Sequence, residues 1–264
     1  MTSTTAADPP ATRAPWRRLL RPALAIAFWL GVWHLAAVAV DQDILLVTPA
    51  GVLARLGELV VTPEFWATVA HSFVRITAGF LTAAAVGALG AALAAASPVV
   101  DALSAPLITA IRSTPVVSFI ILVLIWADSD ELAFVISFLM VVPIIFTNVL
   151  QGIRQRDPAL LEVAAVFRVP LVRRLPAIDI PAVLPYFIAG CRIGVGLAWK
   201  SGIAAEVIGL PEGSIGEQLY EAKIFLSTAD LFAWTVVIIT ISVTVERLVL
   251  ALLARWQLRL AGTT

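Results

Sequence analysis

The chain has 264 residues, 60% of them hydrophobic and 14% charged, with 18 basic and 18 acidic side chains and one cysteine. A soluble domain is nearer half apolar and a quarter charged, so this composition excludes an ordinary globular enzyme. Zero formal net charge argues against a nucleic-acid partner, and the lone Cys191 excludes an internal disulfide or a multi-cysteine metal cluster. The apolar residues fall in blocks of about 20, the length a helix needs to cross ~30 Å of hydrocarbon. A membrane barrel would alternate over segments of ~10 residues instead. The fold class is therefore an all-α polytopic membrane protein.

Residues 1–21 begin as a Thr/Ala/Pro-rich tail that reads as disordered. Arg17, Arg18 and Arg21 then precede a first span over 22–40. A signal peptide is the competing reading. Trp29, Trp33 and His34 inside the run, and the lack of a small-x-small site before Asp41, favour a retained span. Residues 41–72 are mixed. Thr48-Pro49 reads as an N-cap followed by proline at the first helical position. Val52, Leu53, Leu56, Leu59 and Val60 then share one helical face. Thr62-Pro63-Glu64 repeats the start signal, with Phe65 and Trp66 at interfacial depth.

The second span is expected over 73–96, where Gly79, Gly87 and Gly90 in an alanine-rich run allow close helix packing. Residues 97–105 read as a short turn. A third span over 106–127 contains Arg112 and Pro115, and a fourth over 131–150 contains Pro143. Such prolines free carbonyls that neighbouring helices must satisfy. A long polar-rich connection, 151–185, precedes a fifth span over 186–208. In the next loop, Ser214 and Glu217 fit a capping box. Ser227 and Asp230 start the sixth span, 231–253, and residues 256–264 form a tail.

With six spans, the N-terminus, the 97–105 turn, the 151–185 connection and the C-terminus share one side. That side carries twelve basic residues, against Arg55 and Lys223 in the opposite loops. By the positive-inside rule both termini and the 151–185 connection are cytoplasmic.

The chain shows no hydrolytic constellation. His34 and His71 lie far apart, without HExxH context, and read as packing or interfacial residues. The segment Gly194 to Ser201 matches a phosphate loop at its ends only. Trp199 replaces the glycine whose backbone must approach phosphate, and the segment lies mid-membrane. No GxSxG elbow is present. Transport would draw energy from a partner, or would be passive or secondary.

The 151–185 connection decides between these. Asp157-Pro158 supplies an N-cap and first position for a short helix over 160–167, which Val169-Pro170 ends. Pro170 can start a second helix, with Leu171, Val172, Leu175 and Ile178 on one side and Arg173 and Arg174 on the other. Ile180-Pro181 and Leu184-Pro185 are expected to end it. On charge alone this is an ordinary amphipathic connector.

The spacing resembles the cytoplasmic signature of binding-protein-dependent ABC importer permeases, written EAA, then glycine, then I-x-LP. Glu162 matches the acid, Ala164 the second alanine, Ile178 the isoleucine and Pro181 the proline, with no gap. Val163, Arg168 and Ile180 stand where the family has alanine, glycine and leucine. Glycine there permits a tight turn; with Arg168 in its place, the turn is expected at Pro170. His71-Ser72-Phe73-x-Arg75, Arg112-x-x-Pro115, Gly190-x-Arg192-Ile193-Gly194, Ala198-Trp199 and Ala205-Glu206 look like the nitrate/sulfonate/taurine branch, which thiamine-precursor importers share. The likeness covers about residues 48–255.

The resemblance implies a six-helix type I permease fold without catalytic residues of its own. It implies a small, anionic solute, with pyrimidine thiamine precursors as the alternative. It implies ABC ATPase subunits that bind ATP–Mg, an extracytoplasmic solute-binding protein, a second permease copy and lipid as partners. Glu162, Ala164, Ala165, Arg168, Ile178 and Pro181 would dock the ATPase. Arg168, Arg173 and Arg174 would either meet its acidic rim or face water.

Ionisable residues inside spans point to pathways, which singles out Arg112, Lys200 and Glu206. Lys200 is ~4.5 Å past the midpoint of its span at 1.5 Å per residue. It would serve an anionic solute or pair with an acid on another helix. Arg75 is placed to snorkel to the interface. A stand-alone secondary transporter would instead show inverted repeats and broken helices near the midplane; neither is expected here.

Overall fold

Hydroxylated or acidic caps followed by proline set where these helices begin. The computed structural model describes the backbone of residues 16–261 and the surroundings of side chains 23–255; the predicted N-terminal tail lies outside the described residues up to position 15. Thr48, Thr62, Ser97 and Asp157 each accept a hydrogen bond from a backbone N–H of the turn they open, with proline next in the chain. They start α2 (Pro49–Val60), α3 (Pro63–Ala96), α4 (Pro98–Ser113) and, further on, α7 (Pro158–Val166). Before them comes α1 (Trp16–Val40). The remaining elements are α5 (Val116–Val123), a 3-10 turn (Ser129–Glu131), α6 (Leu132–Arg154), α8 (Leu171–Arg174), a π turn (Leu175–Asp179), α9 (Ile180–Gly209), α10 (Ile215–Ile224) and α11 (Thr228–Ala261). No strand occurs among the described residues.

The core is the triplet α3, α6 and α9, joined through Ile76, Phe80, Val141, Ile145, Val195 and Trp199. Small residues let the three backbones close up. A Cβ on Gly79 would lie 2.5 Å from the Phe134 carbonyl oxygen, and one on Gly202 would lie 2.6 Å from Ile76 Cγ1. Ser137 Oγ, on α6, donates to the Ala198 carbonyl of α9 at 3.0 Å, replacing solvent that the bilayer cannot supply. Around this triplet, α11 stacks Trp234 on Phe65 of α3 at 5.1 Å between centroids. Trp33 of α1 leans on Phe232 at 5.3 Å and donates to the Val47 carbonyl at 3.0 Å. Arg55 of α2 pairs with Asp230 and Glu58, and the hydrogen bond to Asp230 is the main cause raising its pKa above the ordinary value.

Five helical stretches among the described residues are long and apolar enough to cross a membrane, and the pair α4 and α5 is long and apolar enough only when its two bent halves are taken together. The bent pair corrects the sequence reading twice. The 97–105 stretch is not a turn but the first half of α4, capped by Ser97. The third span is not continuous: α4 and α5 meet at 102°. Pro115 holds Thr114 extended (φ −83°, ψ 131°). A broken helix is thus present where none was expected.

The second helix of the long connection also differs. It does not stop at Pro181 or Pro185. α8, the π turn and α9 run on as one 39-residue stretch, Leu171–Gly209. Ile180 N–H bonds the Leu175 carbonyl, five residues back. That wider turn shifts the hydrogen-bond register just where Pro181 has no N–H to give. Elsewhere the second span begins ten residues before position 73, at Pro63, and the sixth runs beyond 253.

Candidate functional site

The chain reversals divide the bundle into a basic end, with the α3–α4 turn, α7 and α8, and an opposite end carrying α2, the 3-10 turn and α10. At the basic end α7 is short and starts sharply, because Asp157 Oδ1 accepts the Ala159 N–H at 2.8 Å. Its inward residue is Ala164, 4% exposed. Its outer surface is apolar: Val166 is 78% and Phe167 75% exposed, with Leu160 and Val163 half-exposed beside Glu162 and Ala165. These side chains lie outside the stretches long and apolar enough to cross a membrane. An apolar patch of that kind marks an interaction surface.

The turn after α7 is made at Arg168, not at Pro170 as expected. Arg168 sits at φ 48°. Its N–H bonds the Ala165 carbonyl at 3.0 Å, and the Val169 N–H bonds the Ala164 carbonyl at 2.9 Å. This is a Schellman ending with arginine at the position that glycine usually fills. Arg168 therefore adopts the glycine conformation, at a cost of about 1–2 kcal/mol. Ile178 lies half-buried in the π turn and Pro181 is exposed in the first turn of α9.

Asp179 was missed by the sequence reading. It is 6% exposed, and its two oxygens accept from Arg156 Nη1 and from Arg174 Nε, the latter at 3.0 Å. Arg156 Nε also donates to the Ile153 carbonyl at 2.8 Å. The carboxylate thus pins the start of the long helix to the end of α6. The signal available was a lone acid between Ile178 and Ile180 in an arginine-rich stretch. A cleft of about 640 Å³ opens beside this triad, between the inner ends of α3, α6 and α9.

Deeper in the bundle the three pathway candidates do not come together. Arg112 is exposed in the last turn of α4, at the break. Lys200 is exposed on α9, and no acid lies within ion-pair distance of it among the described residues. It shares a face with Gly196, Arg192 and Ile193 that no other described helix covers fully. Glu206 is 0% exposed. Its Oε2 accepts from Ser72 Oγ at 2.8 Å and from the Gly216 N–H at 3.1 Å. Ser72 Oγ in turn accepts the Ile215 N–H at 2.9 Å. The carboxylate therefore holds the N-terminus of α10 against α9 and α3, a favourable place for negative charge. Gly216 is required there, since its Cβ would lie 2.2 Å from that of Glu206. Beside it, Arg75 pairs with Asp130 at 3.3 Å and contacts His71.

A tightly packed core of long apolar helices, a bent helix pair and an exposed apolar helix at the basic end describe a polytopic membrane protein. The family described as binding-protein-dependent transport system inner membrane component matches residues 60–260, and the chain belongs to it. A Bacillus subtilis permease named for aliphatic sulfonates transport is 28% identical over 231 residues, covering 85% of this chain and 81% of that protein. The bicarbonate transport system permease of Synechococcus elongatus is 31% identical over 197 residues, covering 74% and 70%. The nitrate import permease of a Synechocystis strain is 30% identical over 203 residues, 72% of each chain.

Proposed function

We propose that this chain is the translocating subunit of an ATP-driven importer for a small anion of the sulfonate, nitrate or bicarbonate kind. The relatives' names support that solute class. The observation that carries the coupling is α7, whose apolar outer face and Glu162 have no partner within the described chain. In this reading α7 seats in a groove of an ABC ATPase, which binds ATP–Mg and hydrolyses it. Glu162, Ala165 and Arg168 face that partner, while Ala164 fixes α7 to the bundle. Ile178 and Pro181 shape the start of the lever from which α9 rises. The basic end is then cytoplasmic, with both termini, in the bacterial inner membrane.

The opposite end, α2 and α10, receives the solute-binding protein. Two copies form the pathway, and the uncovered faces with Arg112 and Lys200 line it. A lysine without an acid partner is suited to an anion passing between the copies. Glu206 drops out of the pathway assignment, because its carboxylate is enclosed. ATP-driven closure moves α7 and, through the unbroken 171–209 stretch, tilts α9 as a rigid body.

The test is retention of the ATPase when the permease is purified from its own host. Wild type retains it, and Glu162→Lys loses it at unchanged thermal stability, since Glu162 is exposed. Equal retention by both would remove the docking role of α7.

A further inference from the structure

The cleft beside Asp179 has a charged rim and an apolar floor at two different membrane depths. Helix α9 has 30 residues, about 45 Å at 1.5 Å per residue. That equals hydrocarbon plus both headgroup layers, ~40–45 Å. Asp179, immediately before α9, therefore falls at headgroup level, and Arg156 and Arg174 are held there with it. Two guanidiniums share one carboxylate, so the rim carries one uncompensated positive charge. Arg174 gives Asp179 only its Nε–H, and its side chain is a third exposed. Its terminal N–H groups make no hydrogen bond to other described residues. Toward the membrane centre the cleft is floored by Ala88 and Ala92 of α3 and walled by Val183 and Phe187 of α9. No described helix fills this space, although it lies at acyl-chain depth.

We infer that this cleft is a binding site for an anionic phospholipid of the leaflet at the basic end, with the phosphate on Arg174 and Arg156 and an acyl chain over Ala88 and Ala92. A neutral molecule would leave the rim charge unmatched, and a free anion would leave the 640 Å³ apolar trough bare. An anionic amphiphile satisfies both. The inference does not depend on which solute is carried or on ATPase docking. Failure of the Glu162→Lys experiment would leave it standing, and the reverse also holds.

The test uses the full chain in detergent, titrated with phosphatidylglycerol or phosphatidylcholine of identical chains, with bound lipid counted by native mass spectrometry. Phosphatidylglycerol should be retained about fivefold better, the effect of one basic residue at an anionic surface. Arg174→Gln should remove that preference, and Arg174→Lys should keep it. Ala92→Phe, which fills the trough without touching a charge, should reduce retention of both lipids. Free glycerol phosphate should not compete. Equal retention of the two lipids by wild type would overturn the proposal, as would full preference in Arg174→Gln. So would competition by glycerol phosphate, which would make the site a plain anion site. If Ala92→Phe split a dimer while leaving lipid retention intact, the trough would belong to a second copy instead, and the proposal would fall.

Discussion

The two ends of the bundle handle buried charge in opposite ways. At the α10 end, Glu206 is sealed: Ser72 and Gly216 donate to one carboxylate oxygen, Ile215 donates to Ser72, and no arginine touches the carboxylate. At the basic end, Asp179 is nearly as buried but is held by two part-exposed arginines at the mouth of an open cleft. One end is a finished joint between elements of the same chain. The other leaves charge, apolar surface and space on offer. The contrast fits a protein that keeps α10 fixed to α3 and α9 while its basic end engages partners.

If the α10 end is a finished joint, the largest loss should come from breaking it. Glu206→Ala leaves Ser72 Oγ–H and the Gly216 N–H without an acceptor in a sealed site. The expected cost is about 3 kcal/mol, read as a fall in thermal unfolding temperature in detergent. Cleavage by added protease within residues 209–228 should rise with it. Glu206→Gln keeps an acceptor for both donors but places an amide where Oε1 now has no hydrogen-bond partner. Its expected cost is nearer 1 kcal/mol. Equal losses in the two variants would mean that the joint depends on negative charge rather than on acceptors.

At the basic end the same kind of deletion should cost less. Asp179→Ala strands Arg156 and Arg174, but both side chains already reach solvent, at 22% and 33% exposure. Water can take over much of the lost pairing, so about 2 kcal/mol is expected rather than the 3–5 typical of a fully buried pair. The comparison would break if Asp179→Ala proved worse than Glu206→Ala. The measurement is the same unfolding curve, run on both variants in one detergent.

The asymmetry between the ends was only half legible in the sequence. Helix starts at positions 48, 62 and 157 were readable, because a Thr-Pro or Asp-Pro pair carries its own local physics. So was the short helix expected over 160–167, through Asp157-Pro158 before it and Val169-Pro170 after it. The fate of each proline was not. Pro143 and Pro115 each fall inside a stretch read as one continuous span. Pro143 stays inside a continuous helix because α6 is clamped between α3 and α9. Pro115 separates two helices because Thr114 before it is held extended and a new helix starts at Val116. Glu206 looked like a pathway residue because its partners lie 134 residues away at Ser72 and in a separate helix. Asp179 was passed over for the same reason, its first arginine being 23 residues upstream. Local rules place caps and spans; long-range packing decides which charge is enclosed.

The smallest effect separates strain from function at the α7 turn. Arg168 holds φ 48° with both Schellman hydrogen bonds formed, so the turn is complete despite a side chain that disfavours it. Arg168→Gly would remove about 1 kcal/mol of left-handed strain. Part of that gain is lost because glycine also frees the unfolded chain. A net stabilisation of about 0.5 kcal/mol is expected, a rise of a degree or two in unfolding temperature. The backbone path, and with it the angle at which α7 meets a partner, should not change. ATPase retention should therefore match wild type if Arg168 contributes only backbone. Reduced retention with the stability gain intact would show that the guanidinium itself contacts the ATPase, giving this end a charged contact to set beside its apolar one.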